Sequence, residues 1–305
     1  MALGNNVAVT AAGAMVQGRF KKVGGGGQVA SIAFMASLIL ALTIALGAIV
    51  AIIAWAVVEG YPRFDLDLIF NGPSTARRAT AGYSVAIVGT LQIIAGVIFI
   101  IVPLGVGTSL YLELFADKSK WWNRLIELNI QNLAGVPSIV FGILGLALFV
   151  RLFNLGFVVA AASATIAILV LPTVILASRE AIKAVPSSIL EGSLALGVTR
   201  WQAVWKQVLP AAGPGMLTGV ILAVARAIGE AAPLLLVGAV TFVTTFPQFF
   251  EGGYSALPVL IYNYAGRAQM EFQVLAAAGV ILMLLVLFVI NSFAVWLRAR
   301  YERTW

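Results

Sequence analysis

From Ser31 to Val58 the chain carries no charged side chain, and no other feature restricts its fold as much. A helix rises 1.5 Å per residue, so roughly 20 apolar residues cross a bilayer core about 30 Å thick. In hydrocarbon every backbone N–H and C=O must be paired within the protein, which leaves helices or closed barrels. Continuous apolar runs, as opposed to alternation, select helices. Further runs follow at 82–104, 128–150, 157–177, 214–240 and 274–296, the fifth interrupted by Arg226 and Glu230. The reading is an all-α polytopic membrane protein with six transmembrane helices, one transmembrane domain over 31–300, and a polar, Gly-rich, disordered tail at 1–30. The first run is too long for a signal-peptide core and no cleavage pattern follows it, so it reads as a retained helix. The second is expected to end near Pro103 and the flexible Gly105-Val106-Gly107. Gly24–Gly27 lack the Lys-Ser/Thr of a phosphate-cradling loop and read as a tether.

With only 10% charged residues, each charge carries information. The chain has no Cys and no His, which excludes disulfides, thiolate nucleophiles, His-ligated metals and Ser-His-Asp or Cys-His catalysis. No cofactor and no metal site are expected. Of the 19 Lys and Arg, thirteen fall on one side if the N-terminus is inside: Arg19, Lys21, Lys22, Lys118, Lys120, Arg124, Arg179, Lys183, Arg200, Lys206, Arg298, Arg300 and Arg303. Five lie outside (Arg63, Arg77, Arg78, Arg151, Arg267), and Arg226 is intramembrane. Positive-inside therefore places both termini in the cytoplasm. The net charge of +7 reports topology, not nucleic-acid binding. The outer segment 241–272, rich in Phe and Tyr, is expected to form short surface-lying helices. No loop has room for a soluble binding domain or an ATPase.

The inside loop 178–213 has internal order. Ser188-Ile189-Leu190-Glu191 and Thr199-Arg200-Trp201-Gln202 both fit capping boxes, and Gly197 between them fits a helix stop. The loop reads as two short helices, the second closed by Pro210. Trp201, Val204, Trp205 and Val208 fall on one apolar face. Periodicity alone leaves two readings open: a hairpin on the membrane surface, or a knob docking into a partner.

The segment EGSLALGVTRWQAVWKQVLP, Glu191 to Pro210, resembles the EAA loop of ABC-importer permeases. Glu191, Gly197, Leu209 and Pro210 fall in its register; Gly192-Ser193 replaces Ala-Ala, and Gln207 stands where Ile is usual. Ala134–Gly142 and Leu217–Leu236 are similar to the phosphate-uptake permeases. The Arg-Ala-x-Gly-Glu core at 226–230 is common to both permease chains of that system. Its continuation Ala232-Pro233-Leu234-Leu235-Leu236 is similar to the PstA-type subunit, and the resemblance spans about 80–300. It implies a type I ABC importer permease in a bacterial inner membrane, moving inorganic phosphate inward without an ATPase site of its own. The implied partners are a PstC-type second permease subunit, an ATP-binding subunit dimer, an external phosphate-binding protein and membrane lipid. Glu191, Gly197, Trp201, Trp205, Leu209 and Pro210 would contact the ATPase.

Arg226 and Glu230 stand one helical turn apart. A charge at mid-bilayer costs about 2.5–3.5 kcal/mol on insertion scales, so the two need each other or a wet cavity. They are either a structural ion pair or part of the substrate path. On the second reading the guanidinium, charged at any depth and bidentate, receives the anion. Glu230 would hold Arg226 when the path is empty. Thr218 either donates to substrate or returns to its own i−4 carbonyl. Ser138, beside Pro137, would line the path where freed backbone groups stand at membrane depth. Asn129, Gln131 and Asn132 ease the inner end of the third span. Asp117–Arg124 reads as an interfacial helix, and Arg179 and Lys183 as residues attracting anions or lipid headgroups. Alternatives are a permease for another oxyanion or small solute, an ion-coupled secondary transporter, which should show an internal repeat or broken helices, and an intramembrane enzyme, which the lack of His opposes.

Overall fold

Apolar side chains in long runs leave the backbone no partner but itself, and the runs fold as helices. The computed structural model describes residues 25–117, 119–239 and 243–301. It divides into two compact units, 1–54 and 55–305. The first unit is the body of α1 (Gly25–Gly60), with Phe34, Leu40, Ile44 and Val50 exposed around its circumference. A helix apolar on every side suits lipid. Gly25–Gly27 open this helix and form no tether; the rest of the expected tail, to residue 24, lies outside the described residues.

The second unit starts with the last turn of α1. After it come α2 (Leu66–Phe70), capped by Asp65, which accepts the Leu68 N–H at 2.9 Å, and α3 (Ser84–Leu110), which widens into a π-helical turn at Tyr111–Phe115. α4 (Trp121–Leu133), α5 (Ser138–Gly145, widening at Leu146–Leu152) and α6 (Val159–Lys183) follow. α7 (Ser187–Ala195) precedes α8 (Arg200–Ala203), which continues through a π-helical turn (Val204–Val208) into α9 (Leu209–Gly229). Short α10 (Ala232–Leu236) and α11 (Leu257–Ala265) lead to α12 (Met270–Tyr301). Among the described residues the only strand-like pairing is a bridge from Ala239 to Tyr254.

Among the described residues five helices are long and apolar enough to span a membrane, and a sixth crossing is made if α4 and α5 count as one span bent by 110°. The single span expected over 128–150 is therefore broken. Pro137 cannot donate to a helical carbonyl and pushes Val136 out of the α region. Gly135 and Val136 close the corner with bonds to the carbonyls of Asn132 and Leu133. Asn129, Gln131 and Asn132 are exposed on α4, a helix separate from the apolar α5. The opposite difference holds at Pro103, which α3 passes through; buried Ile101 and Gly105 hold the helix across it. The span expected over 214–240 begins at Arg200 and stops at Gly229, because the Pro233 ring would clash with the residue 229 carbonyl of a continuing helix.

α6 is the central element. It runs parallel to α3, with the Ser163 hydroxyl donating to the Ile93 carbonyl at 3.3 Å near their starts and Arg179 meeting Glu113 near their ends. It runs antiparallel to α9. An added Cβ at Gly215 would lie 2.7 Å from the Ala181 side chain, and one at Gly219 2.5 Å from that of Ala177, so the glycines set this close approach. A second core joins Tyr83, Leu260, Tyr264, Phe272 and Leu275, with the Tyr83 hydroxyl donating to the Leu275 carbonyl at 3.0 Å. α11 is thus buried, contrary to the surface-lying helix expected there. Tyr264 of this helix packs against Tyr83 edge-on and stacks on Phe272, while Tyr262 stays exposed.

Candidate functional site

Two places bring the singled-out residues together. The first is the outer end of α9. Arg226 stands 12 residues past Pro214, about 18 Å further along the helix. Its Nε donates to Glu230 Oε1 at 3.3 Å, with the two side chains 41% and 17% exposed. Glu230 is not on the helix face expected for it: α9 ends at Gly229 and Glu230 caps it in an extended conformation. The helix stops, Ala231 and Ala232 follow, and α10 begins. Thr218 lies two turns inward, and its hydroxyl is committed to the Pro214 carbonyl at 2.9 Å, the self-directed bond open to it from sequence.

Ser138 is half-buried and opens α5 at the corner after Pro137. α5 packs against α10: a Cβ at Gly142 would lie 2.8 Å from the Pro233 backbone and the Leu236 side chain. Two helix breaks, at 134–137 and at 230–231, therefore belong to neighbouring elements. Irregular backbone inside a membrane protein is tolerated where protein buries it or a cavity wets it. An exposed guanidinium at one break offers a planar fork of donors to an oxyanion.

The second place is the segment from α7 to α8. Gly197 (φ +80°) ends α7. Its N–H reaches the Leu194 carbonyl at 3.0 Å, and the Val198 N–H reaches Ser193 at 3.3 Å. This is a Schellman stop, which favours Gly for its positive φ. Thr199 and Gln202 form the expected reciprocal capping box. The other expected box is absent: α7 starts at Ser187 behind Pro186, with no side-chain cap. Pro210 does not close the second helix. The Leu209 N–H bonds to the Val204 carbonyl, one residue wider than an α turn, and this π register lets the helix run on through Pro210. The apolar face splits: Val204 and Val208 are buried against Leu110, Ile182 and Met216, while Trp201 and Trp205 are exposed and pack on each other at 5.4 Å. Glu191 and Pro210 are exposed and Leu209 is half-buried.

One feature escapes sequence patterns. Arg179 is neither a free anion attractor nor a lipid ligand. It is buried, donating from Nε to Glu113 Oε2 at 3.3 Å and from Nη2 to Glu127 Oε1 at 2.7 Å. Its partners stand 66 and 52 residues away in the chain. Lys183 pairs with Glu180 at 2.8 Å. Before α4, the Ser119 hydroxyl and N–H both donate to Asp117 and hold its carboxyl below the ordinary range.

The family described as binding-protein-dependent transport system inner membrane component matches residues 101–303. The chain is 29% identical over 261 residues to the probable ABC transporter permease protein YqgI of Bacillus subtilis, covering 82% of this chain and 88% of that one. It is 32% identical over 241 residues to the phosphate transport system permease protein PstA of Haemophilus influenzae, covering 78% and 82%. It is also 32% identical over 216 residues to PstA 1 of Mycobacterium tuberculosis H37Rv, covering 70% and 68%. The fold is similar to a chain of the inward-facing MetNI methionine ABC transporter, with a TM-score of 0.55 at 19% identity over 75% of this chain and all of that one. A bacterial ABC transporter importing the polysaccharide alginate gives a TM-score of 0.53 at 14% identity, covering 88% and 99%.

Proposed function

The chain belongs to the inner-membrane components of binding-protein-dependent transport systems, and on that premise we propose that it carries inorganic phosphate into the cell. It is a PstA-type ABC importer permease, a multi-pass protein of the bacterial inner membrane whose family relies on a separate ATPase and an external binding protein. The proposed assembly adds a PstC-type second permease, an ATP-binding dimer and a phosphate-binding protein.

The observation that carries the phosphate reading is Arg226, half-exposed and held by Glu230 at a helix break. Phosphate near neutral pH carries one to two negative charges and must shed water to cross. A guanidinium replaces that water with two parallel N–H donors and stays charged when desolvated. Glu230 is the resting partner. When phosphate takes the guanidinium, the carboxylate repels it, so the anion exchanges and does not become trapped. Ser138, at the break that opens α5, adds a hydroxyl to the path, whereas Thr218 supports α9. Glu191, Gly197, Trp201, Trp205, Leu209 and Pro210 form the surface the ATPase moves. Support for the phosphate assignment also comes from relatives named for phosphate transport.

The test is ATP-dependent uptake of labelled phosphate by the assembled importer in proteoliposomes, with sulfate as competitor. Uptake that needs ATP and the binding protein, and that resists sulfate, is expected. Transport of sulfate in place of phosphate would assign the chain to another oxyanion.

A further inference from the structure

We propose that Arg179 is a positioning residue that ties the ATPase-facing segment to the inner ends of α3 and α4, so that all three move as one body. The proposal rests on the chain being an importer permease, and its last step, toward Arg226, rests on the function proposed above.

Arg179 lies in the last turns of α6, and α7 starts eight residues later at Ser187. The connection is short and stiffened, with the Ala184 and Val185 N–H groups bonded back to Glu180 and Ile182. A displacement of α7 therefore reaches Arg179 directly. There the guanidinium grips two elements. Glu113, on the π-helical turn after α3, is 9% exposed, and Glu127, in the middle of α4, is 41% exposed. The planar fork holds each carboxylate in a fixed direction, so the three helices keep one register. Apolar residues could pack three helices as well, but they would not fix their relative slide.

The same five-residue turn is gripped a second time from the far end of the segment. Phe115, two residues after Glu113, packs on Trp201 at 6.1 Å, and the Arg200 guanidinium stands over its ring at 5.7 Å. Tyr111–Phe115 is thus held from α6 before α7 and from α8 after it. The Tyr111 hydroxyl joins the turn to α4 through Asn123 at 3.3 Å. Beside Glu127 lies a cavity of about 280 Å³, lined by Asn123, Arg124, Glu127 and Arg179. α4 then leads through the corner at 134–137 into α5, which packs on α10 immediately after Glu230. A continuous chain of contacts runs from α7 through Arg179 and Glu127 to the helix break at Arg226.

The chain has no Cys, so Leu128→Cys on α4 and Leu196→Cys after α7, both exposed, accept spin labels without background. In the assembled importer with Glu127 intact, the 128–196 distance is expected to stay within about 2 Å between nucleotide-free and ATP-bound states, the scale of small helix shifts. In Glu127→Gln the distance should change on ATP binding, while ATP hydrolysis continues and uptake per ATP falls several-fold. Glu127→Asp, which keeps the charge, should restore both. A 128–196 distance that changes with ATP in the intact protein overturns the proposal. So does one that holds equally in Glu127→Gln, which would leave Arg179 a packing residue only. The distance needs ATP but no cargo, so a failure of the unmodified importer to take up phosphate overturns the phosphate reading alone.

Discussion

Arg226 and Arg179 carry the same charge in opposite surroundings. Arg226 is held by one carboxylate four residues on and remains 41% exposed; Arg179 is held by two and is 7% exposed. An exposed, singly paired guanidinium can change partners, whereas a buried, doubly paired one cannot. Arg226→Lys keeps the charge but loses the bidentate fork, so phosphate uptake is expected to fall by about tenfold or more, the loss of one good charge-assisted bond, with assembly unchanged. Glu230→Gln should leave phosphate bound longer, lowering turnover and tightening apparent affinity. Uptake kinetics in proteoliposomes read both, and an unchanged rate in Arg226→Lys removes that residue from the path. The Arg226–Glu230 pair was legible in the sequence because its members are four apart in a stretch otherwise free of charge. The Arg179 triad was not, since its partners are brought in by tertiary packing from 66 and 52 residues away. No periodicity links such positions.

Among the elements, long apolar runs announced the helices, but their ends followed rules that apolarity does not encode. Prolines read as stops at 103 and 210 lie inside continuing helices, because π-helical turns and burial absorb the missing bond. Pro137 and Pro233, which fall inside the spans expected at 128–150 and 214–240, accompany breaks. Capping boxes show the same limit. Ser188 and Thr199 have equally good spacing to their acidic or amide partners, yet only Thr199 is placed before the first turn, since α7 had already begun at Ser187. Thr199→Ala should therefore weaken the start of α8 by about 1 kcal/mol, seen as roughly fivefold faster exchange of the Gln202 amide. Ser188→Ala should leave the amides of α7 unchanged. Equal responses at the two positions would contradict the observed helix starts.

For the whole molecule the number of crossings decides which face each loop occupies, and one ion pair bears on it. Arg179 and Glu113 join the ends of α6 and of the α3 segment, while Ser163 and Ile93 join nearer their starts. The two helices are parallel, so the chain must return across the membrane between them. The bent α4–α5 pair is the only stretch that can do so, although residues 138–152 cover only about 22 Å of a core about 30 Å thick. Were the pair to stay on one side, α3 and α6 would run antiparallel and Arg179 could not reach Glu113. Six crossings are also the count under which thirteen of the basic residues fall on one face. Single cysteines in this Cys-free chain test it. Leu196→Cys and Arg300→Cys should react with an impermeant thiol reagent only in inverted vesicles, and Tyr262→Cys, on exposed α11 surface, only in intact cells. Labelling of Leu196→Cys from outside would mean that the bent pair does not cross. It would also move the segment expected to meet the ATPase to the face where no ATP is supplied.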